Sequence, residues 1–109
     1  MKTVVDSSVQ TIELFYWEGC PSYPEALLLL ERVLAERGIG VEVEMREVRT
    51  DEEAQELRFP GSPTIRVDGR DIDPAGAESR PSLTCRIYWL PDGRVSPIQS
   101  REQLEEALR

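Results

Sequence analysis

Residues 11–34 read TIELFYWEGCPSYPEALLLLERVL, and the fold turns on how this stretch divides. Its first seven residues, 11–17, are almost continuously apolar or aromatic, the composition of a strand covered on both faces. Glu18-Gly19 stops that run, and Cys20-Pro21-Ser22-Tyr23-Pro24 follows. From Glu25 the period becomes helical, with Leu27, Leu30 and Leu34 on one face and Ala26, Leu29 and Val33 widening it. Gly38 is placed to end this helix. Val41, Val43 and Met45 then alternate with Glu42, Glu44 and Arg46, which predicts a strand with one wet face at a sheet edge. A helix between two strands sets those strands side by side and parallel.

Working outward, Thr50 and Glu53 have the spacing of a capping box and predict a short helix through Ala54 and Leu57. Phe59-Pro60-Gly61-Ser62-Pro63 is a turn that no helix crosses. Residues 64–67 read as a strand, Asp68-Gly69 as a tight hairpin turn, and residues 70–73 as the return strand. Residues 74–82 form a loop of Pro, Gly, Ala and Ser, and residues 85–90 another apolar strand, turned by Pro91-Asp92-Gly93. Ser100 and Gln103 pair as a second capping box, opening a helix with Leu104, Ala107 and Leu108 inward. The order β-α-β-α-β-β, with an added strand and a closing helix, predicts an α/β fold whose central mixed sheet is flanked by helices. Residues 11–109 form one domain on this reading, behind an extension of residues 1–10.

A chain of 109 residues fits a single domain. The formal net charge of -8 repels phosphate backbones and anionic lipids, so nucleic acid and membranes are not expected as partners. Residues 1–10 lack the apolar core of a secretory signal, and no segment approaches a membrane span. Two cysteines in such a chain point to a cytoplasmic, reducing setting, where a reactive thiol is favoured over a structural staple. His is absent, which excludes a Cys/His pair and a Ser/His/Asp triad within the chain. Two thiols with neither His nor a neighbouring acidic cluster cannot complete a four-ligand zinc site, so no metal or other cofactor is expected.

Cys20 is therefore the candidate catalytic group. Just after a strand and just before a helix, it meets free backbone N–H groups and the positive end of the helix dipole, both of which favour thiolate. Helix N-termini bring a thiol from a pKa of ~8.5 to roughly 3.5–7.5. Glu18 and Glu25 oppose the effect, so activation is expected to be moderate, with the sulfur exposed and partly ionised. Ser22 with Glu25 offers a capping box for this helix, whereas Pro24 pushes Tyr23 away from helical geometry. Tyr16 and Trp17 read as core aromatics, and Asp51-Glu52-Glu53 as a solvated first helical turn.

A strand, then Gly-Cys-Pro at a helix start, then Ser62-Pro63 leading into another strand and a Gly hairpin resembles the thioredoxin and glutaredoxin superfamily, in order and element type over residues 11–73. The chain is most similar to an uncharacterised bacterial branch with a single-cysteine Cys-Pro-Ser-Tyr motif. The resemblance implies a three-layer thioredoxin-like fold, a cis Ser62-Pro63 bond facing Cys20, and a backbone there that pairs with an extended, thiol-containing substrate. Ser62, Pro63, Tyr23 and Pro21 are the substrate-binding residues it implies. Tyr23 stands where the second cysteine of the family motif would be, so no dithiol cycle is available within that motif. Asp73-Pro74-Ala75-Gly76 replaces the glutaredoxin element that holds glutathione.

Two readings of Cys85 stand side by side. It is either a resolving thiol, brought near Cys20 by the loop of residues 74–84, or a small apolar residue in a core strand. Tyr23 likewise either hydrogen-bonds the Cys20 thiolate or covers the helix end. Three functions follow: a thiol–disulfide oxidoreductase acting on a protein or small-molecule thiol or disulfide, a non-catalytic peptide-binding module, or a soft-metal site of two thiolates.

Overall fold

A computed structural model describes residues 9–109. Residues 1–8 of the expected N-terminal extension lie outside the described residues. Its last two residues belong to the domain: Val9 is buried in the main core, and the Gln10 N–H donates to the Asp68 carboxylate.

The first strand, β1 (Ile12–Tyr16), leads into α1 (Tyr23–Glu36), β2 (Val43–Glu47), α2 (Asp51–Leu57), β3 (Thr64–Val67) and β4 (Arg70–Asp71). The sheet order is β2-β1-β3-β4, with β1 and β2 parallel and the other pairs antiparallel. The fold is thus mixed α/β, as the order of elements implies. Apart from Glu13, which pairs with Arg46, β1 is apolar because helices cover both its faces. Ile12 and Leu14 join Leu30, Val33, Leu34, Leu104 and Leu108 in one core, while Phe15 joins Val48, Ala54 and Phe59 in another. The closing helix, α3 (Arg101–Ala107), therefore shares the α1 face, and α2 lies on the opposite one.

β2 is an edge strand, as its alternation suggests, although Met45 is exposed along with its charged neighbours. Asp68 and Gly69 both have positive φ, 52° and 81°, the conformation of a two-residue hairpin whose twist matches its strands. The Asp68 carboxylate also accepts from the Gln10 and Thr11 N–H groups, which holds it below the usual carboxylate range. Ser100 and Gln103 form the full reciprocal capping box. Thr50 caps α2 by accepting from Glu53 N, but the Glu53 carboxylate accepts from Arg49 N instead of closing the box. At α1 there is no side-chain cap, and Pro24 occupies the first turn.

Residues 85–90 do not form one apolar strand. Only β5 (Tyr88–Trp89) is a strand there, paired with β6 (Val95–Ser96) in a separate two-stranded sheet. Cys85 forms an isolated parallel bridge with Ser62. The segment still alternates. Arg86 and Tyr88 turn inward, whereas Cys85, Ile87 and Trp89 are exposed. Residues 74–82 include one 3₁₀ turn, Gly76–Glu78.

Candidate active site

The turn between β1 and α1 places Cys20 through a backbone bond from its N–H to Trp17 O, 3.0 Å. Gly19 lets the Trp17 ring lie close beside it, since a Cβ there would come within 2.4 Å of that ring and push it aside. Opposite, the α2–β3 turn brings Ser62 and Pro63 to the same place, and the peptide between them is cis. The Cys20 thiol donates to Ser62 O at 3.3 Å.

Cys20 is fully buried, which corrects the expectation of an exposed sulfur. The physical reason lies in the segment of residues 84–86, which pairs with Ser62 on both sides. Ser62 N–H donates to Thr84 O and Arg86 N–H donates to Ser62 O, each at 2.8 Å. Cys85 in the middle of that segment is the exposed cysteine, so it is not a core residue. The two thiols are free and adjacent.

Their ionisation is correspondingly unequal. Burial pushes the Cys20 thiol up, but the Ser22 backbone N–H, the Cys85 thiol and the Ser62 and Ser22 hydroxyls together outweigh it, leaving Cys20 below its ordinary value. The Ser62 hydroxyl is buried with no other hydrogen-bond partner, so an ionised Cys20 sulfur would supply the acceptor it lacks. Cys85 is pushed up by its hydrogen bond to Cys20, by desolvation and by the charge beside it. The two thiols interact and titrate as a pair, with Cys20 favouring the thiolate and Cys85 the thiol.

Residue 86, which the sequence reading passed over, holds this arrangement. The Arg86 guanidinium is buried and forks onto Asp71, with Nη1 to Oδ2 at 2.8 Å and Nη2 to Oδ1 at 2.9 Å. It also donates to Thr64 Oγ1 and Asp73 O, and lies 4.5 Å from the Tyr88 ring centroid. The Tyr88 hydroxyl in turn donates to Pro63 O. A lone Arg in the run Cys85-Arg86-Ile87-Tyr88-Trp89-Leu90 was the available signal, since such a charge enters a core only with a partner.

Gly61 permits the close approach. It has φ 134°, and an added Cβ would lie 3.0 Å from Arg86 Cβ and 3.1 Å from Arg86 N. Gly61→Ala is expected to cost about 1–3 kcal/mol in denaturant unfolding and to raise the alkylation rate of Cys20 by loosening the Ser62–Arg86 bond. Unchanged stability and unchanged alkylation would contradict this placement.

The remaining residues of the expected site are placed as follows. Tyr23 neither bonds the thiolate nor stands free. Its hydroxyl donates to Glu18 at 3.0 Å, which raises its pKa, and its ring stacks on Tyr16 with centroids 4.3 Å apart. Pro21 is exposed beside the turn, and Pro63 is buried. Tyr16 and Trp17 are half-buried, packing against the two cores from the strand end. Among the described residues no group of three or more His, Cys, Asp or Glu side chains is arranged to hold a metal ion, and no helix is long and apolar enough to cross a membrane.

Comparison with family models, with curated proteins and with solved structures finds no match to this chain. The geometry of the two thiols carries the functional argument.

Proposed function

We propose that this chain is a thiol–disulfide redox protein of thioredoxin-like architecture, and that its working unit is the pair Cys20 and Cys85. The observation that carries the reading is a buried, thiolate-favouring Cys20 set against a second, exposed thiol. A low thiol pKa at the sulfur that leaves speeds disulfide exchange, and an adjacent thiol closes the cycle within one chain. The partner is a thiol or disulfide, and the setting that suits two free thiols is a reducing cytoplasm. With a net charge of -8, the protein is not suited to nucleic acid. A peptide-binding module would need the main-chain edge of Ser62, and residues 84–86 already use it.

The test is oxidation of the reduced, folded chain with diamide, followed by thiol counting and peptide mapping. The proposal expects both thiols to disappear into a Cys20–Cys85 disulfide within single chains, reversed by dithiothreitol. Two persistent free thiols, or only disulfides between chains, would overturn it.

A further inference from the structure

The main-chain edge at Ser62 bears directly on what the thiol pair acts upon. An extended polypeptide binds a sheet edge through unused N–H and C=O groups. At Ser62 neither is unused. Its N–H is taken by Thr84 O, and its carbonyl receives both Arg86 N–H and the Cys20 thiol.

The occupying segment is not a loose flap. Arg86 ties it to Asp71 by two short bonds between side chains that are 3% and 6% exposed, and the Tyr88 hydroxyl fastens the next inward position to Pro63 O. The outward positions of the same segment are Cys85, Ile87 and Trp89. Cys20 is thus buried at the edge this segment occupies, while Cys85, whose thiol lies against it, belongs to an exposed residue of the segment. A partner arriving from solvent meets Cys85 first.

We propose that external exchange takes place at Cys85 rather than Cys20, and that the partner is a low-molecular-weight thiol or disulfide rather than an extended polypeptide. This inference rests on the thiol-pair reading above and assigns the roles within it. In the oxidised chain an external thiolate RS⁻ attacks Cys85 Sγ. The R–S–S–Cys85 bond forms, the Cys85–Cys20 bond breaks, and the electron pair leaves on Cys20, where the Ser22 N–H and the Ser62 hydroxyl receive it. A second RS⁻ attacks the R sulfur, releasing RSSR and a Cys85 thiolate that takes a proton from solvent. Two external thiols are oxidised, and the protein disulfide is reduced to one thiolate and one thiol. In reverse, the Cys85 sulfur attacks RSSR as its proton passes to Cys20. The departing RS⁻ removes that proton, and the Cys20 thiolate then displaces the second RS⁻ from Cys85. Exchange theory favours this assignment, because attack falls on the accessible sulfur and the lower-pKa sulfur leaves.

Two measurements on the full chain test it. First, the diamide-oxidised protein is mixed with mercaptoethanol, acid-quenched early and mapped by mass spectrometry. Mixed disulfide on Cys85 is expected to exceed that on Cys20 by about tenfold or more. Second, turnover with hydroxyethyl disulfide is compared with reduction of insulin under the same reductant. Turnover is expected for the small disulfide, and insulin is expected to be reduced no faster than by the reductant alone. A mixed disulfide found mainly on Cys20, or insulin reduced catalytically, would overturn this inference while leaving the thiol pair intact. A chain that forms no Cys20–Cys85 disulfide with diamide would remove the thiol-pair reading itself, and this inference with it.

Discussion

Asp71→Ala is expected to destabilise the domain by about 3–5 kcal/mol, the cost of leaving a buried charge without its partner. The Arg86 guanidinium would keep its bonds to Thr64 Oγ1 and Asp73 O but lose both carboxylate oxygens, with the Asp73 carboxylate 3.9 Å away as the remaining anion. For a domain whose total stability is of the order of 5–15 kcal/mol, such a loss brings the unfolded state within easy reach. The check is urea unfolding at neutral pH, with a lowered midpoint and an unchanged slope. Replacing both residues together, as Asp71→Leu with Arg86→Met, should cost less than Asp71→Ala alone, because no unpaired charge then remains. A loss below about 1 kcal/mol for Asp71→Ala would mean that the fork behaves as an exposed pair. The consequence reaches the site as well, since Arg86 N–H is one of the two main-chain bonds that hold Cys85 against Ser62.

The second large effect is functional. Cys20→Ser is expected to cut turnover of hydroxyethyl disulfide by about tenfold or more, to the rate of an unperturbed cysteine. Cys85 remains exposed in that variant and still forms a mixed disulfide. What is lost is the adjacent thiolate that displaces the bound thiol and closes the internal bond. The variant protein should accumulate as a mixed disulfide on Cys85, seen as a mass increase in the intact chain. Turnover at the wild-type rate would show that Cys85 works alone and that the buried sulfur is a packing residue.

The parts of this molecule that were readable from sequence are those decided locally. β1 and α1 follow from an apolar run that changes period at Cys20, and the Asp68-Gly69 turn follows from the two residues best able to adopt positive φ. The Ser100 box needs only residues three apart. Residues 85–90 could not be read the same way. Apolar residues fall at odd positions, Cys85, Ile87 and Trp89, and at the even position Leu90, so hydropathy alone sets no inward face. Arg86 turns inward because Asp71, fifteen residues away, supplies the charge that lets it enter the protein. That placement turns Cys85 to the surface and sets residues 84–86 against Ser62, so Cys20 is buried where its local sequence suggests exposure, and Cys85, which the sequence left open, is the exposed thiol. Tyr23 was similarly undecidable, because its partner Glu18 lies in the turn whose path the sequence leaves open.

The proposed chemistry depends on an unequal pair of thiols. A thiol lowered on folding contributes stability above its unfolded pKa, and this is lost as pH falls through the folded value. A raised thiol contributes stability below its unfolded pKa, and this is lost as pH rises through the folded value. With Cys20 lowered and Cys85 raised, the reduced pair is favoured between the two folded values. The most direct measurement is ultraviolet titration of thiolate absorbance in the reduced wild type and in Cys85→Ala. The account predicts two steps in the wild type, one below and one above the ordinary cysteine range, and a single step in Cys85→Ala that lies above the first wild-type step. Two coincident steps at the ordinary value, unmoved by the substitution, would contradict it.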